Sequence, residues 1–429
     1  MIRIHLVLIL ALIQVIFAER MVLHLATGGR GMVMITNLID PWVTLILVIL
    51  PFWRELRRGL WTAAFLLNFM PFLALGFILP FLGVALTGFP VRTLMAAWNG
   101  AIPLTMIAIG CAGTFRAKEA LGTVRLYFLF GVLSQMALAV VQTMGQFGTL
   151  PGALGAIYEW DFRFKTVFQP DNLILGRATG FYLNPNSLGI WALLAFWTSF
   201  FLLQRRQRLL GCAASLATVL LCQSRGTLAA FLGSALLYAL FWMLHRAGRR
   251  DRWRATLLGI ICVVPVVFLA TPGLTDAGGL RRVPVVGGAL ARYTSGAKVL
   301  SQGAAADANF EGRTQYWRAA FDYLANHPFG SLGSPEMVVK VPSDNQFVAV
   351  LEQGSFYFLL ALLLTFYGGL RLVNSPLAHE RLLAVACLAL IINGISAVPF
   401  AYSASYLFWL LVGVHLGERV QNPPQEESA

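Results

Sequence analysis

The residues with chemical potential in this sequence are arginines, acids and amides set where apolar segments begin. Arg177 opens the segment 177–189, in which Tyr182, Asn184, Pro185, Asn186 and Ser187 lead into an apolar run. Asn184 and Asn186 flank Pro185, a pattern that suggests a turn or a broken helix entering a bilayer. Irregular backbone is tolerated at membrane depth where it lines a cavity. A lone arginine at a membrane boundary can simply snorkel. The clustering of so many polar groups favours a site, because polar groups within membranes are retained for function. Arg225 lies in Gln223-Ser224-Arg225-Gly226, a very short turn between two apolar runs. At a helix N-terminus such a turn presents free N–H groups to a phosphate. The competing reading is an interfacial arginine that meets lipid phosphate.

Two further groups follow. Tyr316, Trp317, Ala320, Phe321 and Leu324 recur at helical spacing and predict a surface helix packed through that face. Arg313, at the N-terminal end of this helix, is not explained by packing, since cations disfavour that end. His327-Pro328-Phe329-Gly330 closes the helix. Asp344 and Asn345 then open another apolar run, with Glu352 deeper inside it. Asp344 could be a plain N-cap. An acid at the depth of Glu352 needs a partner or a cavity.

The elements that position these residues are apolar runs of roughly 17–25 residues, long enough to cross about 30 Å of hydrocarbon as helices. Of the 429 residues 58% are hydrophobic and 12% charged, and mean hydropathy is +0.71. A soluble domain carries about 25% charged residues. Lipid offers no water to backbone polar groups, so the runs must be helices. Spans are expected near 4–18, 38–53, 60–80, 93–112, 122–143, 180–203, 208–222, 226–245, 255–271, 346–369, 382–398 and 400–417. The expected fold is therefore an all-α integral membrane protein of about 12 transmembrane helices. Arginine and lysine mark alternate short loops: Arg54, Arg57 and Arg58; Arg116, Lys118 and Arg125; Arg205, Arg206 and Arg208; Arg246 to Arg254; Arg371 and Arg381. By the positive-inside rule these loops are cytoplasmic. The remaining loops face outward, two of them long, at about 144–179 and 272–345, the latter between the ninth and tenth spans. Residues 1–176 are read as the first five helices and the first long loop, 177–420 as the membrane domain that carries the polar segments, and 421–429 as a disordered tail.

The net charge of +13 does not imply nucleic acid, because the arginines sit in short loops between apolar runs, where they set topology. Cys111, Cys212, Cys222, Cys262 and Cys387 lie in or beside apolar runs with no CxxC pair, and read as small buried residues. The segment Ile4 to Phe17 is short and follows Arg3, so it is either a cleaved signal sequence or, as the many later spans favour, an uncleaved first helix.

In order, Arg-x-x-Gly-Phe-x-x-Asn-Pro-Asn (177–186), Ser-Arg-Gly (224–226), Gly-Arg-x-x-x-Trp (312–317), His-Pro-x-Gly (327–330) and Asp-Asn…Glu-x-Gly (344–354) resemble the O-antigen ligase/polymerase superfamily. The resemblance spans about 177–360 and rests on the ordered set rather than on any one piece. It implies an inverting, metal-independent glycosyltransferase of the GT-C type with no cofactor. Its partners would be an undecaprenyl-pyrophosphate-linked glycan and an acceptor glycan lipid in the lipid bilayer of a bacterial inner membrane, with the active site facing the periplasm and a chain-length regulator as a further candidate partner. In that reading Arg177, Arg225 and Arg313 hold the pyrophosphate, whose planar oxygens suit guanidinium forks. Asp344 is the candidate base, with His327 and Glu352 behind it. Tyr182, Asn184, Asn186, Trp317 and Asn345 would contact substrate. Ligases of the superfamily resemble one another in a His-Asn pair ahead of the last glycine motif. Here Ser343-Asp344-Asn345 takes that place, and Asp-Asn is more frequent among polymerases, which join lipid-linked repeat units. The alternatives are a ligase that delivers glycan to lipid A core and a transporter of about 12 spans. Against the transporter stand the lack of a repeat between halves and the scarcity of mid-span ionisable residues.

Overall fold

The computed structural model describes residues 50, 53–88, 94–114, 121–146, 148, 150–168, 177–182, 184–245, 308–333, 344–401 and 403–421. Among these residues there is no strand. In chain order the helices are α1 (Trp53–Leu60), α2 (Ala63–Asn68), α3 (Met70–Thr87), α4 (Leu94–Thr114), α5 (Leu121–Gly145), α6 (Gly152–Phe168), α7 (Pro185–Leu202), α8 (Arg205–Cys222), α9 (Arg225–His245), α10 (Ala308–Asn326), α11 (Gln346–Leu370), α12 (Ala378–Gly394) and α13 (Tyr406–Gln421). Two short 3₁₀ turns, Pro399–Ala401 and Ser403–Ser405, lead into α13.

Five segments are long and apolar enough to cross a membrane: Met70–Thr87, Val124–Gly145, Pro185–Leu202, Arg225–Met243 and Gln346–Leu370. The protein is thus an all-α membrane protein. Helices α4, α8, α12 and α13 coincide with the other described runs in which spans are expected. They are less clear-cut, because α8 opens on Arg205 and Arg206, and α12 and α13 have 17 and 16 residues. The expected spans 4–18 and 255–271, and most of 38–53, lie outside the described residues, as does the first part of the loop 272–345.

Local sequence sets where these helices begin. Pro185 stands at the first position of α7, where its missing N–H costs nothing, and Asn184 caps the helix by accepting from the Asn186 N–H at 2.8 Å. Asn345 caps α11 in the same way, accepting from the N–H groups of Phe347 and Val348 at 2.9 and 3.1 Å. The cap is therefore Asn345 and not Asp344, which lies one residue outside the helix. Helix α1 buries Leu56 and exposes Arg54, Arg57 and Arg58, as an interfacial segment on a basic loop should.

Helix α7 runs through the centre of the bundle. Every side chain from Ser187 to Ser199 is buried, Trp191 and Trp197 completely. It packs on α8, α9 and α12. Helices α4 and α13 cross in close contact, where a Cβ at Gly110 would meet the Leu410 carbonyl oxygen and one at Gly413 the Ile107 oxygen. Small residues at such crossings supply the backbone contact that replaces a hydrophobic driving force in lipid.

Two sequence expectations need correction. The stretch 144–179, read as a long loop, contains helix α6, which packs on α5. The helix at 308–326 forms as expected, but its buried side differs: Ala320 is buried and Trp317, Tyr323 and Leu324 half-buried, whereas Tyr316 and Phe321 are exposed. Arg313, Trp317, Ala320 and Leu324 lie on one face at helical spacing, so the arginine shares the packed side with the tryptophan.

Candidate active site

Arg177 is 6% exposed, and its Nε donates to the Cys222 carbonyl at 3.0 Å while one terminal nitrogen donates to Asn186 Oδ1 at 3.1 Å. The next residue repeats the attachment, with the Ala178 N–H on the Leu221 carbonyl at 3.1 Å. The last carbonyls of α8 have no partner within their own helix, so these two bonds satisfy groups that would otherwise be orphaned. Asn184 and Asn186 divide their work: Asn184 caps α7 and Asn186 holds the guanidinium. Tyr182 is buried in the same turn.

The chain reverses just beyond Cys222. Gln223 takes a left-handed conformation (φ 50°), and Ser224 accepts from the Thr227 N–H at 3.4 Å and from its hydroxyl at 3.0 Å. Arg225 is therefore the first residue of α9, in the turn that offers free N–H groups. This turn packs against the end of α12. Asn393 donates to Thr227 Oγ1 at 3.4 Å, and a Cβ at Gly226 would collide with Ser396. The same stretch of chain is bonded from the other side, where its Ile395 carbonyl accepts from Asn345 Nδ2 at 3.0 Å and its Phe400 N–H donates to Gln346 Oε1 at 3.0 Å. The Ser-Arg-Gly turn and the Asp-Asn segment are thus held on one strut, residues 393–400.

Arg313 reaches Asp344 with Nε at 3.1 Å from Oδ2, the two side chains being 24% and 46% exposed. The pair joins α10 to the entrance of α11, and Trp317 lies one turn further along the same face of α10. His327 ends α10, stacks on Tyr323 at 4.1 Å between ring centroids and places Nδ1 3.1 Å from the Tyr323 carbonyl. A carbonyl can only accept, so Nδ1 is the donor in this contact. The imidazole is exposed.

The residues after His327 dock onto a break in α11. Gly354 and Ser355 leave helical geometry, Ser355 at φ 57°. The Ser331 N–H donates to the Glu352 carbonyl at 2.6 Å and the Leu332 N–H to the Gln353 carbonyl at 3.0 Å. Gly330, at φ +74°, permits this approach, because a Cβ there would lie 2.7 Å from the Glu352 oxygen. Glu352 itself is 2% exposed, and its Oε2 has no hydrogen-bond partner among the described residues. Leaving a buried polar atom without a partner costs ~2–7 kcal/mol.

Hydrogen bonds or ion pairs thus link 177–186 to the turn at 222–225, that turn through 393–396 to Asn345, Asp344 to Arg313, and 330–332 to 352–354. Chemically, guanidinium groups, a carboxylate, a buried acid and an imidazole stand on these connected segments. Sequence reasoning missed Gln135 and Gln142 on α5, which hold the backbone of residues 179–181, and Asp161 on α6, which accepts from Gln142. Their one signal was two amides seven residues apart in an apolar run.

His379, Glu380 and His415 also gather, with one ligand atom from each within 4.8 Å of the others. Arg419 already donates to Glu380 Oε1 at 3.0 Å and supplies the cation. This group lies at the start of α12, about 20 Å along the helix axis from the end that carries Asn393.

Residues 210–358 match the family model described as O-antigen ligase. The matched stretch runs from α8 into α11 and contains the motifs at 224–226, 312–317, 327–330 and 344–354, while 177–186 precedes it. No curated protein matches the chain at a significant level. The family match supports the assignment to the O-antigen ligase/polymerase superfamily that the motif order implies.

Proposed function

We propose, from this superfamily assignment, that the protein polymerises undecaprenyl-pyrophosphate-linked oligosaccharide repeat units on the periplasmic face of a bacterial inner membrane, by an inverting, metal-independent glycosyl transfer. The product is a surface or extracellular polysaccharide. The observation that carries the reading is the Arg313–Asp344 pair at 3.1 Å, set at the head of α11 on the strut that also holds the Arg225 turn. It joins a guanidinium to a carboxylate at the entrance of α11, which supports a site built from arginines and an acid.

In this reading Arg177 and Arg225 bind the donor pyrophosphate and stabilise the charge that develops on it. Arg313 orients Asp344 and adds its field to theirs. The acceptor hydroxyl attacks the anomeric carbon from the face opposite the pyrophosphate. The C–O bond to phosphate breaks with its electron pair on the leaving oxygen, and the new glycosidic C–O bond forms. Asp344 takes the hydroxyl proton and passes it to solvent. Fixed donors aimed at developing charge typically contribute ~10²–10³ in rate each. Transfer is expected to proceed in excess EDTA; loss of activity that a divalent cation restores would refute the metal-free step.

A second reading, transfer of finished glycan to lipid A core, is favoured by the description of the matching family as O-antigen ligase. Asp344-Asn345, where ligases carry His-Asn, weighs toward the polymerase. A deletion strain separates the two. Single repeat units on the carrier or on lipid A core are expected. Long polymer persisting on undecaprenyl pyrophosphate beside a bare core would make the protein a ligase.

A further inference from the structure

We infer that Gln142, steadied by Asp161, is a positioning residue that sets the Arg177 segment for the donor pyrophosphate. The inference rests on the reading of Arg177 as a pyrophosphate ligand, and its test is built so that the two can fail separately.

Gln142 lies in the last turns of α5 and is 3% exposed. Its carbonyl oxygen accepts from the N–H groups of Thr179 and Gly180 at 2.9 and 2.8 Å. Its Nε2 donates to the Gly180 carbonyl and to Asp161 Oδ2, each at 2.9 Å. A side-chain amide has two acceptor sites and two donors, and here all are used. The orientation is fixed, because a flipped amide would turn its NH₂ toward two N–H donors and its oxygen toward two acceptors. One turn of chain, residues 179–180, is thus clasped by an amide that cannot rotate without breaking four bonds. Gln135, two turns earlier on α5, adds a fifth by accepting from the Phe181 N–H at 3.0 Å. Gly180 sits at φ +55° between the two amides, where a Cβ would collide with Gln135 Oε1.

Asp161 gives the clasp its direction. It projects from α6 and is 2% exposed, so it ties α6 to the amide that holds residues 179–180. Arg177 is two residues from the clasped turn and is fixed on its other side by Cys222 and Asn186. Burying an amide among apolar helices is costly unless every group is satisfied. If residues 177–182 only joined two spans, no such clasp would be needed. A catalytic guanidinium must be held to a fraction of an ångström, and a displacement of about 1 Å costs ~10²-fold.

The test uses full-length protein in lipid nanodiscs and the host's own undecaprenyl-pyrophosphate-linked repeat unit. Gln142→Met keeps the volume and removes all four bonds. It is expected to lower kcat and kcat/KM together by roughly 10²-fold, as loss of a transition-state contact does. Asp161→Leu is expected to follow it, while Asp161→Asn, which still accepts from Nε2, retains most activity. In an Arg177→Ala background Gln142→Met is expected to add nothing, since the clasp acts through that arginine. Losses that multiply in the double variant would mean a general packing role and overturn the inference. So would wild-type turnover in Gln142→Met when Arg177→Ala is inactive. Full activity in Arg177→Ala would instead remove the pyrophosphate reading itself. If Gln142→Met does not insert, the Asp161→Leu and Asp161→Asn pair decides: equal activities overturn the inference.

Discussion

In the proposed mechanism the chemistry turns on Arg177 and Asp344, and each has a substitution that isolates its part. Arg177 uses two different nitrogens, one on Cys222 and one on Asn186. Lysine carries the charge on a single nitrogen and cannot make both bonds or a fork on phosphate. Arg177→Lys is therefore expected to lose ~10²–10³ in transfer rate while the protein stays in the membrane, measured as turnover against the amount inserted. Because Asn345 caps α11, Asp344→Asn changes charge without touching the cap. Its rate is expected to fall roughly 10²–10⁴-fold if the carboxylate takes the acceptor proton; an unchanged rate would move the base elsewhere, first to Glu352. The arginines were legible in the sequence because Arg177 opens a cluster of polar residues, Arg225 sits in a very short turn between apolar runs and Arg313 stands at a helix end that disfavours cations. Gln142 was not, since its partners are backbone groups 37 and 38 residues away and no local pattern records them. The pairing of Arg313 with Asp344 was equally hidden, 31 residues apart, although both residues were chosen.

At the scale of elements, α11 carries the lesson. Sequence periodicity reads 346–369 as one uninterrupted span, and hydropathy cannot register a break when apolar residues continue through it. The helix in fact breaks at Gly354 and Ser355, and the freed Glu352 and Gln353 carbonyls take N–H groups from Ser331 and Leu332. This joins His-Pro-x-Gly to Glu-x-Gly, two motifs whose relation the sequence leaves blank. Gly330→Ala places a Cβ against the Glu352 carbonyl at positive φ, with an expected cost of about 1–3 kcal/mol, read as a lower midpoint of thermal unfolding in detergent. Ser331→Ala keeps the backbone N–H and is expected to stay within ~1.5 kcal/mol. Equal destabilisation by the two would contradict the backbone docking. Helix α6 was missed for a different reason: Glu159, Asp161, Arg163 and Lys165 interrupt its apolar residues, and a long outward segment of mixed charge reads as a loop.

The whole molecule was the most legible level, because lipid restricts the backbone to helices and makes their lengths readable. Expected spans at 122–143, 180–203, 226–245 and 346–369 fall on helices long and apolar enough to cross, whereas the one expected at 60–80 is displaced, its crossing helix being Met70–Thr87. The orientation proposed for them is open to a direct check. A reporter fused after Lys298 is expected to be active only in the periplasm, and one fused after Arg250 only in the cytoplasm; the inverse would place the arginine site on the wrong side for a periplasmic donor. The central claim is that this bundle transfers a lipid-linked glycan through its arginine site. The most direct measurement is incubation of the purified protein in nanodiscs with undecaprenyl-pyrophosphate-linked repeat units in excess EDTA, with the products resolved by length. A ladder of lengthening glycans, with undecaprenyl pyrophosphate released and both lost in Arg177→Ala, is the result expected. Unaltered single units, or a ladder that persists in Arg177→Ala, would contradict it.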